Sequence, residues 1–569
     1  MGFPSKEYRG NKRSRQRTRS PPCKTIGVGF ILRFFKDYFI NSSLHGLRYI
    51  AEDGRHWTER CIWIALCSIA VAGALYTSSN IWNRYQTSPT MTVLQSTNFP
   101  IENLPFPAIT ICNLHHVRWD KAILFQEKYL SDADNLTVDA FFRLVSALSV
   151  VNFGDFDMIG TYFGNSTEDA ERLADLNITF LMMEVISSCD ELFVEQCWWR
   201  NLDYDCCSLF ELQKTEYGFC YSFNSETSQY RRPRRGVPQE KCREGDQHCN
   251  QNKCSDDDPG CKKADIRPRR TSTAGMWSGL RTKVQTFPQH TPPLSAGENA
   301  AGILVFVTSP YDLPLLGTDV TSGSTAQVSL SAQVTYTTPQ VHDLCTERRG
   351  CIYENETEAL GFPYRHGNCI AQCHRHSTYL YCNCTPYFFP TEGILSVCDV
   401  SGLMCLSESN DVYNYEKPEK DNPFFDDGQQ GMVCKCQADC DRIEYTSEFY
   451  VTQGGLSGAE DQVLLDIHFK HPTVVLYRTD VVFGWLDLTV SLGGVAGLFI
   501  GFSLLSGVEL IYYLTFRLYG LWRAERRSKI APKLKTKQPS HQNVFRSRKL
   551  HDMHKSLQKI QRVHPHQCY

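Results

Sequence analysis

The sequence predicts a membrane protein with two transmembrane helices and a large, disulfide-rich extracellular domain between them. Two segments, 61–83 and 488–508, contain no charged residue, and each is long enough to cross the roughly 30 Å hydrocarbon core of a bilayer. Between these segments lie 21 of the 25 cysteines, from Cys112 to Cys440, as expected of disulfides formed in an oxidising compartment. With 569 residues, the chain is also too long for a soluble fold built on one core.

Charge divides the chain into three parts. Residues 1–60 carry 13 Lys/Arg against 5 Asp/Glu, and residues 517–569 carry 14 against 2, whereas 61–516 carry 32 against 55, a net charge of −23. Because Lys and Arg beside a membrane span stay in the cytosol, we expect both termini to be cytosolic and the protein to lie in the plasma membrane. The first span follows 60 polar and basic residues, unlike a cleaved signal peptide, so we expect it to be retained.

These patterns predict five parts in order along the chain. They are a cytosolic segment (1–60), transmembrane helix 1 (61–83), an extracellular cysteine-rich domain (84–480), transmembrane helix 2 (481–516) and a basic cytosolic tail (517–569). The basic run that opens the tail is typical of a topology signal and also of a site for membrane lipid.

Sequons for N-glycosylation support the extracellular placement of the central part. A further N-x-S/T sequence at Asn41, in the basic N-terminal segment, limits this support because such sequences also occur by chance. The five central candidate sites are Asn135, Asn165, Asn177, Asn355 and Asn383.

Enzyme and metal signatures are missing from the sequence. Structural zinc sites favour C-x2–4-C pairs, and an extracellular location favours oxidation, so we interpret Cys382-x-Cys384 and the cysteines near it as disulfide partners. There is no G-x-S-x-G, H-E-x-x-H or G-x4-G-K-[ST] motif. We therefore expect no catalytic activity, no cofactor, no structural metal and no nucleic-acid partner.

The second uncharged segment has a composition that a simple anchor does not need. It is bracketed by Asp487 and Glu509, and ionisable groups at the edge of a span usually face a bundle interior or a water path. Small residues let helices or ions approach the backbone closely, so both a pore lining and a packing seam remain open. The small residues are Gly493, Gly494, Gly497, Gly501 and Gly507, with Ser491, Ser503 and Ser506.

The block Gly497-Leu-Phe-Ile-Gly501-Phe-Ser-Leu-Leu-Ser-Gly-Val-Glu509 resembles the second transmembrane segment of the degenerin/epithelial sodium channel/acid-sensing channel superfamily. The family's G-x-S selectivity filter would be Gly501, Phe502 and Ser503. His45-Gly46 resembles its cytosolic gating motif, and the stretch 106–113 (FPAITICN) resembles the one that follows its first span. The amino-acid sequence of this segment is most similar to the insect pickpocket branch.

The resemblance implies a sodium-selective cation channel subunit, gated from the extracellular side, with an α+β outer domain. It implies assembly with like or related subunits, as a trimer, in a sensory or epithelial membrane, with Na⁺ in transit. The gating stimulus and any extracellular ligand stay undetermined. Two alternatives share this topology. One is an ATP-gated channel, a type that lacks the filter block and the His-Gly motif, and the other is a two-span scavenger or lipid receptor, in which the second span need be only an anchor.

The resemblance also implies how cysteines pair in a thumb-like region at 345–440. Among the cysteines that lie between the two uncharged segments and outside residues 225–300, five are left without an assigned partner, namely Cys189, Cys197, Cys206, Cys207 and Cys345. The implied pairs are Cys351 with Cys440, Cys369 with Cys436, Cys373 with Cys434, Cys382 with Cys405, Cys384 with Cys398, and Cys112 with Cys220.

Two positions depart from the family pattern. Phe502 stands in the filter where a small residue is usual, and we expect its ring to pack outward. Val490, eleven residues before Gly501, falls at the degenerin gating position, where bulk tends to hold such channels open. We assign pore electrostatics to Asp487 and Glu509, since screening over about 8 Å leaves only acids near the pore effective.

A polar tract at 225–300 is predicted to be a loop-like insertion in the outer domain. It contains the tetrapeptide R-P-R-R twice, ending at Arg235 and Arg270, and each copy fits the R-x-R-R pattern cut by furin-type proteases. Cutting at both would release residues 236–270. Excision that activates the channel and an uncut basic loop are both open.

Overall fold

The computed structural model describes residues 28–87, 89–228, 267–294, 301–390, 395–419, 422–425, 428–454 and 461–530. The chain forms two compact units. We call residues 1–82 with 487–569 the helical unit, and residues 83–486 the sheet unit.

The helices in the described part of the chain vary from one turn to 31 residues. They are α1 (Val28–Asn41), α2 (Leu47–Ala51), α3 (Trp57–Thr87), α4 (Trp119–Tyr129), α5 (Asn135–Leu148), α6 (Asp157–Tyr162), α7 (Thr167–Arg172), α8 (Ile178–Val185), α9 (Cys189–Leu192), α10 (Cys206–Leu209), α11 (Pro339–His342), α12 (Thr346–Arg349), α13 (His366–Cys382), α14 (Val400–Glu408), α15 (Asn410–Tyr413), α16 (Trp485–Ile500), α17 (Leu504–Tyr512) and α18 (Leu518–Ile530).

The strands of the described residues belong to the sheet unit. They are β1 (Thr90–Pro100), β2 (Ala108–Asn113), β3 (Cys197–Trp199), β4 (Leu202–Tyr204), β5 (Phe210–Thr215), β6 (Gly218–Phe223), β7 (Leu280–Gln285), β8 (Gly302–Thr308), β9 (Gly317–Thr321), β10 (Ser324–Thr337), β11 (Cys351–Ile352), β12 (Glu358–Ala359), β13 (Phe362–Pro363), β14 (Ala438–Asp439), β15 (Arg442–Gln453), β16 (Gln462–Phe469) and β17 (Thr473–Val481).

In the helical unit, α3 is long and apolar enough to cross a membrane. Its apolar side chains point outward, with Ile69 68% and Leu75 67% exposed, as a surface that contacts lipid requires. The helices from Trp485 to Ile500 and from Leu504 to Ala524 are long and apolar enough only when taken together, and the chain bends by 72° at the break between them.

The predicted transmembrane helix 2 (481–516) is therefore not one continuous helix. Strand β17 still includes Val481, α16 begins at Trp485, and this helix ends at Ile500, 16 residues before the end of the predicted segment. An uncharged apolar run predicts burial in a bilayer, but it carries no signal for the backbone break inside it.

The sheet unit is organised around the 14-residue strand β10. One edge of β10 pairs antiparallel with β15, and the other pairs parallel with β16 over Thr325–Leu330 and then with β17 over Gln333–Thr337. The eight-stranded sheet has the order β1-β17-β10-β16-β7-β3-β4, with β15 branching from β10. A second sheet has the order β5-β6-β2-β8-β9, and side chains from the two sheets share one core.

A second core lies among helices. Buried residues of α4, α5, α6, α7 and α8 pack with residues of α13 and α14, and the aromatic pair Phe388 and Phe389 lies among them. Helices α13 to α15 fall inside the region that we predicted to be thumb-like, and cysteines lie in α13 and α14.

The loop predicted for 225–300 is wrong over 267–294, where the chain is part of the fold. Strand β7 lies inside the large sheet between β16 and β3, and its Leu280 and Val284 side chains are buried. Its six residues alternate between buried and half-buried positions. A strand this short, with Arg281 and Lys283 on its other face, carries too little apolar signal to be recognised in a polar tract.

Gly279 permits the close approach of β7 to β16. A Cβ atom built on Gly279 would lie 2.0 Å from the carbonyl oxygen of Ile467, which is a main-chain atom and cannot rotate away. We predict that Gly279→Ala destabilises the protein by about 1–3 kcal/mol, the usual cost of overpacking. Thermal unfolding of the purified protein measures this.

Gly520→Ala serves as the matched control, because no atom lies within 4 Å of a Cβ built on that helical glycine. Its melting temperature should equal that of the wild type or exceed it slightly. An unchanged melting temperature for Gly279→Ala would contradict the close approach.

Candidate functional site

The apolar helix α16 ends in a left-handed glycine. Gly501 has φ +68°, and the Phe502 amide donates back to the Ala496 carbonyl at 3.1 Å while the Gly501 amide donates to Gly497. A left-handed glycine whose amide bonds to the carbonyl four residues earlier is the αL termination of a helix. The sequence thus stops α16 at the first residue of the predicted filter.

The next helix begins at the last residue of the predicted filter. The Ser503 hydroxyl accepts from the Ser506 amide, and the Ser506 hydroxyl accepts from the Ser503 amide, each at 3.2 Å. This reciprocal pair is a capping box, with serine in the place of the usual Glu or Gln. The three residues 501–503 therefore form a short non-helical segment, held at both ends by main-chain hydrogen bonds.

The His45-Gly46 segment lies against this break. The His45 amide donates to the Ile500 carbonyl at 3.0 Å, and a Cβ built on Gly501 would lie 2.6 Å from the His45 ring. Gly46 has φ +82°, and a Cβ there would lie 2.8 Å from Cys67 Sγ. Glycine is thus required at both positions for two reasons, because the φ angle disfavours other residues and because a side chain would clash with its neighbour.

Two serines and a carboxylate extend the contact. Ser43 Oγ lies 2.8 Å from Ser506 Oγ, and the Ser43 amide donates to Glu509 Oε2 at 3.3 Å. Ser506 is buried, with 3% of its surface exposed. Sequence reasoning placed Ser506 only among the small residues of the span and missed Ser43, which has no motif of its own.

The remaining predicted pore residues lie apart from this cluster. Val490 is 66% exposed on α16, and eleven residues of helix correspond to about 16 Å between it and Gly501. Asp487 is exposed in the first turn of the same helix. The Phe502 ring lies near its own helix, 3.4 Å from a Cβ built on Gly507, and its outward orientation in an assembly stays a prediction.

All six disulfides implied by the resemblance are present in the structure. They join Cys112 to Cys220, Cys351 to Cys440, Cys369 to Cys436, Cys373 to Cys434, Cys382 to Cys405, and Cys384 to Cys398.

Two further disulfides settle four of the cysteines left without a partner. Cys189 pairs with Cys207, and Cys197 pairs with Cys206, so two adjacent residues at the start of α10 tie down different segments. Cys345 is exposed and reduced among the described residues. The spacing alone could not have separated these pairs, since adjacent cysteines are interchangeable in any pairing argument.

All five candidate glycosylation sites lie on the surface. Asn135 and Asn177 are at helix N-termini, where the Asn177 side chain accepts from the Phe180 amide. Asn165, Asn355 and Asn383 are likewise exposed.

The second R-P-R-R sequence is built into the sheet unit. Arg267 Nη1 lies 3.0 Å from Glu211 Oε2, and the two side chains are only 8% and 5% exposed. The Arg269 amide donates to Asn224 Oδ1 at 2.6 Å, and its carbonyl accepts from the Phe106 amide at 2.7 Å. A protease needs an exposed segment that can leave the fold, so this geometry argues against cleavage after Arg270. Arg235 lies outside the described residues.

Aromatic and cationic side chains connect α3 and α12 within the sheet unit. Arg348 Nη2 donates to the Tyr85 carbonyl at 3.0 Å, and its guanidinium lies 4.1 Å from the centre of the Tyr85 ring. Tyr85 in turn meets Phe483 edge to face, with ring centres 6.4 Å apart. These contacts hold the last residues of α3 against α12.

Two carboxyl groups share a cleft of about 340 Å³ beside β14. Burial, with a smaller contribution from the charge of Asp439, raises the pKa of Asp312 to about 7. Burial also raises the pKa of Asp439, while Arg365 counteracts this for both groups. The cleft therefore holds Asp312 largely protonated in mildly acidic solution.

Because the folded-state pKa of Asp312 exceeds its unfolded value of about 4, the folded state binds the proton more tightly. Its contribution to stability is present at low pH and is lost as the pH rises from about 4 to 7, by up to about 1.4 kcal/mol per pH unit. We predict that Asp312→Asn removes this loss, as measured by melting temperatures at pH 5 and pH 8. The exposed Asp132→Asn should keep the wild-type pH dependence, and an Asp312→Asn protein that also keeps it would refute the assignment.

Comparison with known proteins identifies the family. Residues 38–513 match the family described as amiloride-sensitive sodium channel. Pickpocket protein 19 of Drosophila melanogaster is 23% identical over 508 residues, covering 86% of this chain and 91% of its own. Sodium channel protein Nach of Drosophila melanogaster is 23% identical over 521 residues, covering 88% and 90%. Human acid-sensing ion channel 4 is 23% identical over 530 residues, covering 88% of this chain and 83% of its own.

The residues that match the family, 38–513, contain the helix break, the His-Gly segment and the eight described disulfides. The chain therefore belongs to the amiloride-sensitive sodium channel family.

Proposed function

We propose that the chain is a subunit of a sodium-selective cation channel, gated from the extracellular side, that passes Na⁺ down its gradient across the plasma membrane. The observation that carries the proposal is the non-helical segment 501–503, which interrupts an apolar helix and is held by His45. Irregular backbone at membrane depth is tolerated where it is buried in protein or lines a water-filled path.

The chemistry of this segment suits a small, strongly hydrated cation. A break in a helix frees carbonyl oxygens that a continuous helix would use, and Ser503 adds a hydroxyl. One chain has one such segment and cannot surround an ion, so the proposed channel needs several copies. We favour a trimer, of like or related subunits, in which the segment from each chain faces a common axis.

The proposed topology has two crossings with both termini in the cytosol. Helix α3 would form the first crossing, and α16 with the helix after Ser503 would form the second, bent at the filter. Under this topology the sheet unit is extracellular, in agreement with its disulfides and exposed sequons.

His45 and Gly46 would act as a support for the filter from the cytosolic side. Since the His45 ring fills the space beside Gly501 and its amide bonds to Ile500, a shift of this segment changes the filter backbone directly. Glu509, which accepts from the Ser43 amide, would fix the register of that support as well as supply negative charge.

Val490 and Asp487 would lie toward the outer mouth of the pore. Exposed Val490 in one chain could meet its copies in an assembly, where its bulk would oppose tight closure, and Asp487 would attract cations at the entrance. Movements of the disulfide-rich region would reach α3 through the contact of Arg348 with Tyr85.

The filter assignment predicts that Ser503→Val lowers the Na⁺/K⁺ permeability ratio while surface expression persists. Loss of one oxygen contact of about 1 kcal/mol corresponds to a roughly fivefold change. Ser503→Thr keeps the hydroxyl and should retain most of the selectivity. Two-electrode recording in oocytes, alone or with a second family member, measures the reversal potentials.

Ser491→Val, which removes a serine from α16 instead, is the control and should leave the ratio unchanged. If Ser503→Val conducts with wild-type selectivity, the filter does not lie at Ser503.

The folded R-P-R-R segment predicts that processing, if it occurs, follows Arg235 and not Arg270. Arg235→Ala should abolish any fragment seen on reducing gels, whereas Arg270→Ala should leave the fragments unchanged, because Arg267 is buried against Glu211. Fragment N-termini can be read by sequencing. A fragment that begins at Thr271 would contradict this expectation and restore the excision of residues 236–270.

A further inference from the structure

Two exposed aromatic rings lie side by side on α4 and α8. Phe180 is 42% exposed and Tyr129 is 45% exposed, and their rings meet edge to face with centres 5.5 Å apart. The ring of buried Phe125 lies 4.7 Å from that of Tyr129 and 6.0 Å from that of Phe180, and it stacks on buried Phe141. We call Tyr129 and Phe180 the ring pair. Contact with the helical core holds both rings in place at the surface.

A candidate acceptor for an N-linked sugar lies one helical turn before Phe180. Asn177 begins the sequon Asn177-Ile-Thr, is exposed, and caps α8, since its Oδ1 accepts from the Phe180 amide at 3.0 Å. This bond holds the side chain across the first turn of the helix. The other end of the side chain, Nδ2, donates to no atom of the described residues, and it is the atom that carries the sugar in an N-linked glycan. The point of attachment is thus fixed beside the start of α8.

Helix geometry brings the Phe180 ring toward this acceptor. Phe180 is the third residue of α8, which begins at Ile178. Cα–Cβ bonds tilt toward the N-terminus of a helix, and a side chain at the third position can reach the capping residue, as it does in the capping box. The Phe180 ring is therefore within reach of a sugar attached to Asn177, and the Tyr129 ring extends the same surface onto α4.

This arrangement distinguishes Asn177 from the other four candidate glycosylation sites. An aromatic residue stands three positions after Asn177, a spacing that places two residues on one face of a helix. None of the other four sites has an aromatic residue at this spacing. The residues three positions after Asn135, Asn165, Asn355 and Asn383 are Val138, Glu168, Glu358 and Pro386.

A sugar has the chemistry that suits an exposed aromatic ring. A pyranose such as N-acetylglucosamine presents a face of weakly positive C–H groups, whereas the face of an aromatic ring is negative. Contact between the two faces also removes apolar surface from water. Because the sugar is tethered three residues from Phe180, its effective concentration at the ring pair is far higher than that of a free partner. The tether therefore favours the chain's own glycan as the occupant of this surface.

We propose that the innermost sugar of an N-linked glycan on Asn177 packs against the ring pair. The glycan then covers this face of α4 and α8 and excludes a second subunit or another protein from it. Such a glycan requires the extracellular placement of the sheet unit in our proposed function, but it does not require that ions are conducted.

The test is the rate at which peptide-N-glycosidase F releases the glycan from each site of the folded, full-length protein, made in cultured mammalian cells and purified in detergent. The enzyme cuts the bond between the innermost sugar and Nδ2 and leaves aspartate, so mass spectrometry reads each site separately. Asn165, which is exposed and lies just before α7, is the internal reference. We expect release from Asn177 to be about 5-fold slower than from Asn165, which corresponds to about 1 kcal/mol.

Glycopeptides from a tryptic digest should lose their glycans at equal rates at both sites, because the fold no longer holds the ring pair against the sugar. Equal rates in the folded protein would overturn the proposal. It would also be overturned by an Asn177 without a glycan in a protein that is glycosylated elsewhere. A protein without a glycan at any site would refute the extracellular placement itself, and the proposal with it.

Phe180→Leu is the decisive variant, because it removes the ring and keeps an apolar side chain against α4. We expect release from Asn177 to rise to the rate seen at Asn165, whereas Phe180→Tyr keeps the ring and should stay slow. Met183→Ala shortens another side chain of α8, which is 41% exposed, and should also stay slow. Slow release in Phe180→Leu, or equally fast release in Met183→Ala, would show that the ring does not shield the sugar.

Discussion

The left-handed backbone at Gly501 is the constraint on which the helical unit depends. It ends α16, allows Ser503 to cap α17, and leaves a space that the His45 ring occupies. A side chain at position 501 would require an unfavourable φ and would displace the histidine ring at the same time. One residue without a Cβ thus determines where the helix breaks, what packs there and which chain segment supports it.

The sheet unit has a different kind of constraint, since covalent ties accompany its packing. The five disulfides of residues 351–440 link α13 and the residues around it to the segments around α14 and β14. The pairs made by Cys206 and Cys207 fix the hairpin of β3 and β4. Disulfides restrict the unfolded states of this region and so add to the stability that its packing supplies.

The sequence predicted the features that follow from composition or from a family motif. It did not predict those that depend on contacts with distant parts of the chain. The uncharged run at 61–83 lies within α3, and the resemblance supplied six cysteine pairs. Strand β7 was missed because polar side chains alternate with its few apolar ones. The burial of the apolar side chains is apparent only once β7 is paired with β16. The break at Gly501 was missed because it lies inside an uncharged apolar run, and the bond from the Gly501 amide to the Gly497 carbonyl that ends the helix is visible only in the folded backbone.

The antiparallel pair of β1 and β17 has a mechanical consequence. Thr90 lies opposite Val481, α3 ends at Thr87, and α16 begins at Trp485, so two and three residues join this ribbon to the two helices. Connections this short hold almost no slack, since each residue spans at most about 3.6 Å. A twist of the ribbon would therefore move the end of α3 and the start of α16 together. The connecting residues would absorb little of the displacement.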